Sequence, residues 1–277
     1  MRGALLQITS SDDPSENCAM VSAMVRDAAA QGAEFVLTPE VTNCISMSRS
    51  HQNSVLYLQE DDPYLPQLQN LASELGIWLM LGSFAVKTND ADGRFANRCF
   101  VINPQGQIIA TYDKIHMFDV DINKTETFRE SDGYRPGKTA VVAETSFAKI
   151  GLSICYDMRF PHLYSALVRS GAQILTMPAA FSPVTGAAHW HSLLRARAIE
   201  TGCFVLAPAQ TGTHPTSTEK TRATYGHSLV ISPWGEVILD AGTEPGVNMF
   251  DLDMNSVDDA RRKVPALRHA RDFDGPG

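Results

Sequence analysis

The 277 residues contain no CxxC pair, no GxSxG and no HExxH, and no cysteine has histidines at ligand spacing beside it. These absences leave zinc-site, zincin and serine-hydrolase readings without support. Basic residues are in deficit, 23 against 31 acidic, for a net charge of −8. No global field therefore draws the chain to nucleic acid or to an anionic membrane. No apolar run approaches the roughly 18 residues that a membrane span requires. Met1-Arg2-Gly3-Ala4 leads at once into a strand-like run, so no export or transit segment is expected. The five cysteines, Cys18, Cys44, Cys99, Cys155 and Cys203, form an odd and dispersed set that reads as reduced thiols, which makes a cytoplasmic location the expectation. What is present is ordinary for a globular protein, with 44% hydrophobic and 19% charged residues. We expect one domain over 1–277 with a polar tail after about residue 268.

The chain starts with a βαβ pattern. Gly3 to Ile8 is a buried-strand run, Asp12-Asp13-Pro14 with Glu16 caps a helix to about Gln31, and Gly32 ends it. Glu34 to Thr38 then reads as a second buried strand that delivers Pro39-Glu40. A helix over 64–75 and strands over 77–86, 99–102 and 108–112 follow, the last two joined by the turn Asn103-Pro104-Gln105-Gly106. Residues 114–138 lack periodicity and read as a functional loop region, as does a Thr/Ser-rich loop over 211–221. Strands at 141–144, 148–154, 173–177 and 204–207 alternate with helices at 159–170 and 186–201, and a late hairpin turns at Pro233-Trp234-Gly235. This mixture of βα units and hairpins predicts an α/β layered sandwich with helices on the outer faces of its sheets.

Cys155 closes the run Lys149 to Ile154 and opens a predicted helix, which places its sulfur on a strand-to-helix turn resembling a nucleophile elbow. A helix N-terminus there is expected to lower the thiol pKa. The bland alternative is a packed cysteine acting as a small hydrophobe, and the other four are read that way. A thiol nucleophile needs a proton acceptor and an oxyanion donor. Glu40, at the C-terminal end of a buried strand, and Lys114, just past another, are the candidates, though each taken alone reads as a surface charge.

Three segments in order, Leu37-Thr38-Pro39-Glu40, Tyr112-Asp113-Lys114-Ile115-His116 and Gly151 through Pro161 around Cys155, resemble the nitrilase (carbon–nitrogen hydrolase) superfamily with its Glu-Lys-Cys triad. The similarity runs over essentially the whole chain and includes Phe128-Arg129-Glu130-Ser131, where the family places a second active-site glutamate. Thr185 to Trp190, Leu194 to Thr201 and Tyr225-Gly226-His227-Ser228 are most similar to the Nit branch, which holds the deaminated glutathione amidases and the ω-amidases, with the former closer. Ala187 departs from the usual proline. The resemblance implies a four-layer α-β-β-α sandwich, an amidase of α-keto-acid amides without metal or organic cofactor, and a homodimer or higher homo-oligomer. It assigns Glu40 as general base, Cys155 as nucleophile, Lys114 as oxyanion donor and Glu130 as the group that positions Lys114 and the substrate amide. Arg159 is suited to hold a substrate carboxylate, and Tyr156, Phe181, His189 and Trp190 are candidate pocket residues. Other carbon–nitrogen chemistries on the same triad, namely ω-amidase, carbamoylase or nitrilase, and a non-catalytic binding protein of the same fold are the alternatives.

Overall fold

The structure, a computed structural model, describes residues 1–122, 127–218 and 221–276. Parts of both expected loops, 123–126 and 219–220, lie outside the described residues, as does the last residue of the tail.

The first half runs β1 (Arg2–Gln7), α1 (Pro14–Ala30), β2 (Phe35–Leu37), α2 (Arg49–Val55), α3 (Leu65–Leu75), β3 (Trp78–Val86), β4 (Ala96–Ile102) and β5 (Ile108–Asp113). Asp13 starts α1 by accepting from the Ser15 and Glu16 amides at 2.8 and 3.4 Å, with Pro14 in the first turn. Gly76, at φ 64°, stops α3 in the left-handed conformation that glycine adopts without a side-chain clash. Then come the short ribbon β6 (Asp119–Asp121) and β7 (Thr127–Arg129).

The second half runs β8 (Val142–Glu144), β9 (Lys149–Leu152), α4 (Pro161–Arg169), β10 (Ile174–Thr176), α5 (Pro183–Thr201), β11 (Phe204–Ala207), the ribbon strands β12 (Thr211–Thr213) and β13 (Ala223–Tyr225), and the hairpin β14 (Leu229–Ile231) with β15 (Val237–Asp240). The chain ends with β16 (Gly246–Asp251), α6 (Asn255–Lys263) and α7 (Ala266–His269).

Two six-stranded mixed sheets result, in the orders β16-β1-β2-β3-β4-β5 and β15-β14-β11-β10-β9-β8. Strand alternation sorts the first sheet's residues between two cores. Ala4, Leu6, Val36, Leu79, Leu81 and Phe100 pack with Val21 and Val25 of α1 and Leu68 and Leu71 of α3. Leu5, Phe35, Leu37, Met80, Cys99 and Val101 point the other way and join Ile150, Leu152 and Ile174 of the second sheet. Helices α4 and α5 contact β9 and β11. The architecture is therefore the expected α-β-β-α sandwich.

The ends of the chain close the first sheet. β16 pairs antiparallel with β1 over all six of its residues, Arg2 opposite Asp251 through Gln7 opposite Gly246. Packing beside β3 is tight, since a Cβ on Gly82 would overlap the Thr38 and Pro39 carbonyl oxygens and Pro178. Glycine at that point lets the peptide leading to Glu40 lie against the strand. Among the described residues, no helix is long and apolar enough to cross a membrane.

Candidate active site

The elbow differs from the expected helix start. Cys155 to Arg159 form a 3-10 turn, and α4 begins only at Pro161, because the residue before a proline is pushed out of helical geometry. Cys155 has φ 49°, a left-handed conformation that a non-glycine residue rarely adopts, and its N–H is held by the Pro178 carbonyl at 2.9 Å. The turn is pinned by Asp157, which is fully buried. Asp157 accepts from the Ile154 amide at 2.9 Å and the Tyr112 hydroxyl at 2.6 Å through one oxygen. Its other oxygen accepts from the His116 amide at 3.0 Å and meets His116 Nδ1 at 2.7 Å. Tyr112 and His116 flank Lys114 in sequence, so one carboxylate ties the cysteine's turn to the end of β5.

Lys114 is buried between two carboxylates. Its Nζ lies 2.8 Å from Glu40 Oε1 and 2.9 and 2.8 Å from the two oxygens of Glu130. Glu40 is 4% exposed and Lys114 2%. Asn97 Nδ2 donates to Glu40 Oε1 at 2.9 Å, the Ala180 amide donates to Glu40 Oε2 at 2.8 Å, and the Phe118 amide donates to Glu130 Oε2 at 2.6 Å. Every carboxylate oxygen in the cluster thus has a donor, which is what burying charge requires.

The protonation states follow from these contacts. Burial works against an ionised Glu40, but Lys114 and the other donors more than offset it and hold the carboxyl below the usual glutamate range. Burial also opposes the lysine charge, and Glu130 and Glu40 override it, so Lys114 stays protonated well past its ordinary value. Burial pushes the Cys155 thiol well up, and the neighbouring Glu40 carboxylate pushes it further than Lys114 pulls it back. This reverses the sequence expectation of a lowered thiol pKa. The turn is too short and too buried, and its neighbouring carboxylates too strong, for a helix terminus to decide the matter. The resting site holds a neutral thiol beside an ionised carboxylate.

These groups lie at one cavity of about 230 Å³, lined among others by Glu40, Lys114, Glu130, Cys155, Phe118, Phe128, Phe181 and Arg222. Of the candidates from sequence, Glu40, Lys114, Glu130, Cys155 and Phe181 meet there. Tyr156, Arg159, His189 and Trp190 are not part of its lining. Arg159 instead reaches His189 Nδ1 at 3.3 Å and lies 5.8 and 5.7 Å from the Tyr156 and Phe181 ring centres, and Trp190 packs on Phe181 at 5.0 Å and donates to the His227 carbonyl. They form a layer beside Phe181. Cys44 also lines the cavity, but its thiol is directed at the Asp12 carbonyl at 3.6 Å and burial pushes it up to about 12.

Sequence reasoning missed Asn97, Asp157 and Arg222. The first stands beside Arg98 at the start of β4, ahead of the apolar run Cys99 to Ile102, and carries no mark of its own in the sequence. Among the described residues, His191, His227 and Asp240 form a group of metal-ligand type away from this cavity, with donor atoms within 4.8 Å of one another. There Asp240 already accepts from both imidazoles at 2.9 and 2.8 Å.

The carbon-nitrogen hydrolase family model matches residues 2–262. The chain belongs to the carbon-nitrogen hydrolase family. It is 40% identical over 271 residues to a Bos taurus protein named deaminated glutathione amidase, an alignment that covers 97% of this chain and 81% of that one. Among solved structures it superposes on the NitFhit protein of C. elegans with a TM-score of 0.90 and 35% identity, over 98% of this chain and 65% of that chain. A Saccharomyces cerevisiae protein described as a member of branch 10 of the nitrilase superfamily matches with a TM-score of 0.81 and 27% identity, over 96% of this chain and 94% of the other. Family and relatives together make this an amide-hydrolysing enzyme of the nitrilase superfamily.

Proposed function

We propose that the enzyme hydrolyses the amide bond of deaminated glutathione, releasing 2-oxoglutarate and cysteinylglycine, through a thioester on Cys155. The observation that carries the chemistry is the buried Glu40–Lys114 pair, with Glu130 beside it, at one cavity with a protonated cysteine. A neutral thiol is a poor nucleophile and needs a base at the moment of attack. Glu40, kept ionised, takes the thiol proton as sulfur bonds to the amide carbon. The carbonyl electron pair moves onto oxygen, and the Lys114 ammonium stabilises that charge. A proton shared between the two oxygens of Glu130 leaves another of the three free to turn to substrate. The Cys155 amide is itself engaged by the Pro178 carbonyl at 2.9 Å, so the second donor is another backbone N–H near Cys155. Such donors contribute roughly 3 kcal/mol each at comparable sites.

Collapse of the tetrahedral species breaks the C–N bond, and Glu40 gives its proton to the departing amine. Water then attacks the thioester, losing its proton to Glu40, and the sulfur leaves and recovers that proton. Glu130, held by the Phe118 amide, fixes Lys114 throughout and takes no proton.

The substrate rests on likeness to relatives of that name. It is tested by measuring release of 2-oxoglutarate from deaminated glutathione and, side by side, from the monoamide of 2-oxoglutarate. Preference for the former is expected. Preference for the simple monoamide moves the enzyme to the ω-amidases, and turnover of nitriles alone removes the amidase reading.

We further infer one catalytic domain over the whole chain, acting in the cytoplasm as a homodimer. All five cysteines are free, which suits a reducing compartment. Ile199 on α5, Trp234 in the late turn, and Val237 and Ile238 on the edge strand β15 expose 42 to 56% of their surface, apolar area that a second copy would cover. A light-scattering mass near twice the 30.2 kDa of one chain is expected, and a mass of one chain removes the dimer.

A further inference from the structure

Arg222 is the cation of the cavity wall that the proposed chemistry leaves unused. Lys114 is neutralised by Glu40 and Glu130, and Arg129 is paired with Asp121 at 2.7 and 2.9 Å. Among the described residues Arg222 makes no ion pair, and its guanidinium spends one N–H on the Ala180 carbonyl at 2.6 Å. A guanidinium has five N–H donors in a planar fork, so most of Arg222's remain for a ligand. It is half-buried and lines the same cavity as Cys155.

Its place relative to Glu40 gives the direction. Ala180 donates its amide to Glu40 Oε2 at 2.8 Å and accepts from Arg222 at its carbonyl, so a single residue separates the base from the arginine. The charge is felt at the base, where Arg222 adds to the pull of Lys114 on the carboxyl. When the C–N bond breaks, Glu40 must reach the amine nitrogen to protonate it. The leaving group therefore departs on the Glu40 side, which is where Arg222 stands. Arg159, the arginine that sequence singled out, is not part of the cavity lining and reaches His189 instead.

We propose that Arg222 binds a carboxylate on the amine half of the substrate. The cavity then favours amides whose leaving group is an amino acid or short peptide with a free C-terminus over amides that release a neutral amine or ammonia. This deepens the proposed function and rests on its assignment of Glu40 as the acid for the leaving amine. The fork geometry of arginine suits a carboxylate, and in a site partly shielded from water such a charged pair is stronger than at the surface.

The test compares deaminated glutathione with the same compound carrying a primary amide in place of its glycine carboxylate, in wild type, Arg222→Gln and Arg222→Lys. Wild type is expected to favour the acid by about 10- to 100-fold in kcat/KM, mostly through KM. Arg222→Gln should bring that ratio to within about threefold of one, and Arg222→Lys should recover part of it, since lysine keeps the charge and loses the fork. An Arg222→Gln ratio equal to that of wild type overturns the proposal, because an arginine that only braces Ala180 would slow both amides alike.

A binding arm keeps the two readings apart. If wild type hydrolyses neither compound, the substrate reading falls, and Arg222 is then read on the inactive Cys155→Ala protein by calorimetry with cysteinylglycine and cysteinylglycinamide. Tighter binding of the acid that disappears in Cys155→Ala/Arg222→Gln supports the subsite. Equal binding of acid and amide by Cys155→Ala, or no binding of either, overturns it.

Discussion

Cys155→Ala is expected to lower amide turnover by about 10⁵-fold or more, leaving no acyl-enzyme that mass spectrometry can detect, while the protein stays folded. The size follows from how a nucleophile and its base act as a unit, so that losing either forfeits most of the joint effect. Glu40→Gln should therefore cost nearly as much as Cys155→Ala, and the double variant little more than either one. This non-additivity is the sharper part of the prediction, because two independent binding residues would multiply. The reason is specific to the site. Burial and Glu40 itself hold the thiol protonated, so without the carboxylate nothing collects the proton and no standing thiolate substitutes for it. Stability is expected to change by about 1–2 kcal/mol at most for Cys155→Ala, since only a sulfur is removed from the edge of the core. Residual turnover of a tenth or more in Cys155→Ala would remove the covalent mechanism. Quenched-flow detection of a burst of amine before keto acid in wild type, absent in both variants, checks the order of the two steps.

The sequence exposes what is written in apolar runs and hides what depends on pairing. β2 and its delivery of Glu40 are visible because Phe35, Val36 and Leu37 are contiguous and fully buried, with Pro39 two residues on. β16 is not visible. Its Gly246-Val247-Asn248-Met249 stretch is half-buried and mixed in polarity because it is an edge strand, and only pairing with β1 makes it a strand. Helix α6 escapes for a related reason, with Val257 and Ala260 as its only buried residues.

Within the site, Glu40, Lys114 and Cys155 are each at strand ends and can be found one at a time. Their mutual distances cannot, since Asp157 and Asn97 set them from elements far apart in the chain. The direction of the thiol's shift is the clearest case. Local position suggests a lowered pKa, while the burial and carboxylates that raise it come from tertiary structure. Arg222 has no local mark at all, because its meaning lies in the Ala180 peptide it shares with Glu40.

Lys114→Met should produce the largest loss of stability at neutral pH, and the loss should shrink as pH falls. Removing the ammonium leaves two carboxylates that were each 2.8 Å from it facing one another, with only 5 and 12% of their side chains exposed. Breaking a buried ion pair from one side costs about 3–5 kcal/mol, which for a protein of this size is a fall in melting temperature of roughly 6–15 °C. In wild type the Glu40 carboxyl is held below its unfolded value. Its contribution is therefore present above the usual glutamate range and lost as pH falls through the folded value. Lys114 is raised, so its contribution is present below the ordinary lysine range and lost only as pH climbs through its folded value. In the variant the carboxylates repel without a cation, and the pair prefers to share a proton. The folded variant then holds a proton that the unfolded chain releases, and stability is gained as pH falls. Melting curves at about pH 5 and pH 8 separate the cases. Wild type should hold or lose stability on going to the lower pH, whereas Lys114→Met should gain it, approaching wild type. A variant that melts equally far below wild type at both values would mean that Lys114 acts by packing alone. Turnover by the variant should stay at least about 10³-fold down at either pH, because protonating the carboxylates restores the fold while disarming the base and leaving the oxyanion without its ammonium.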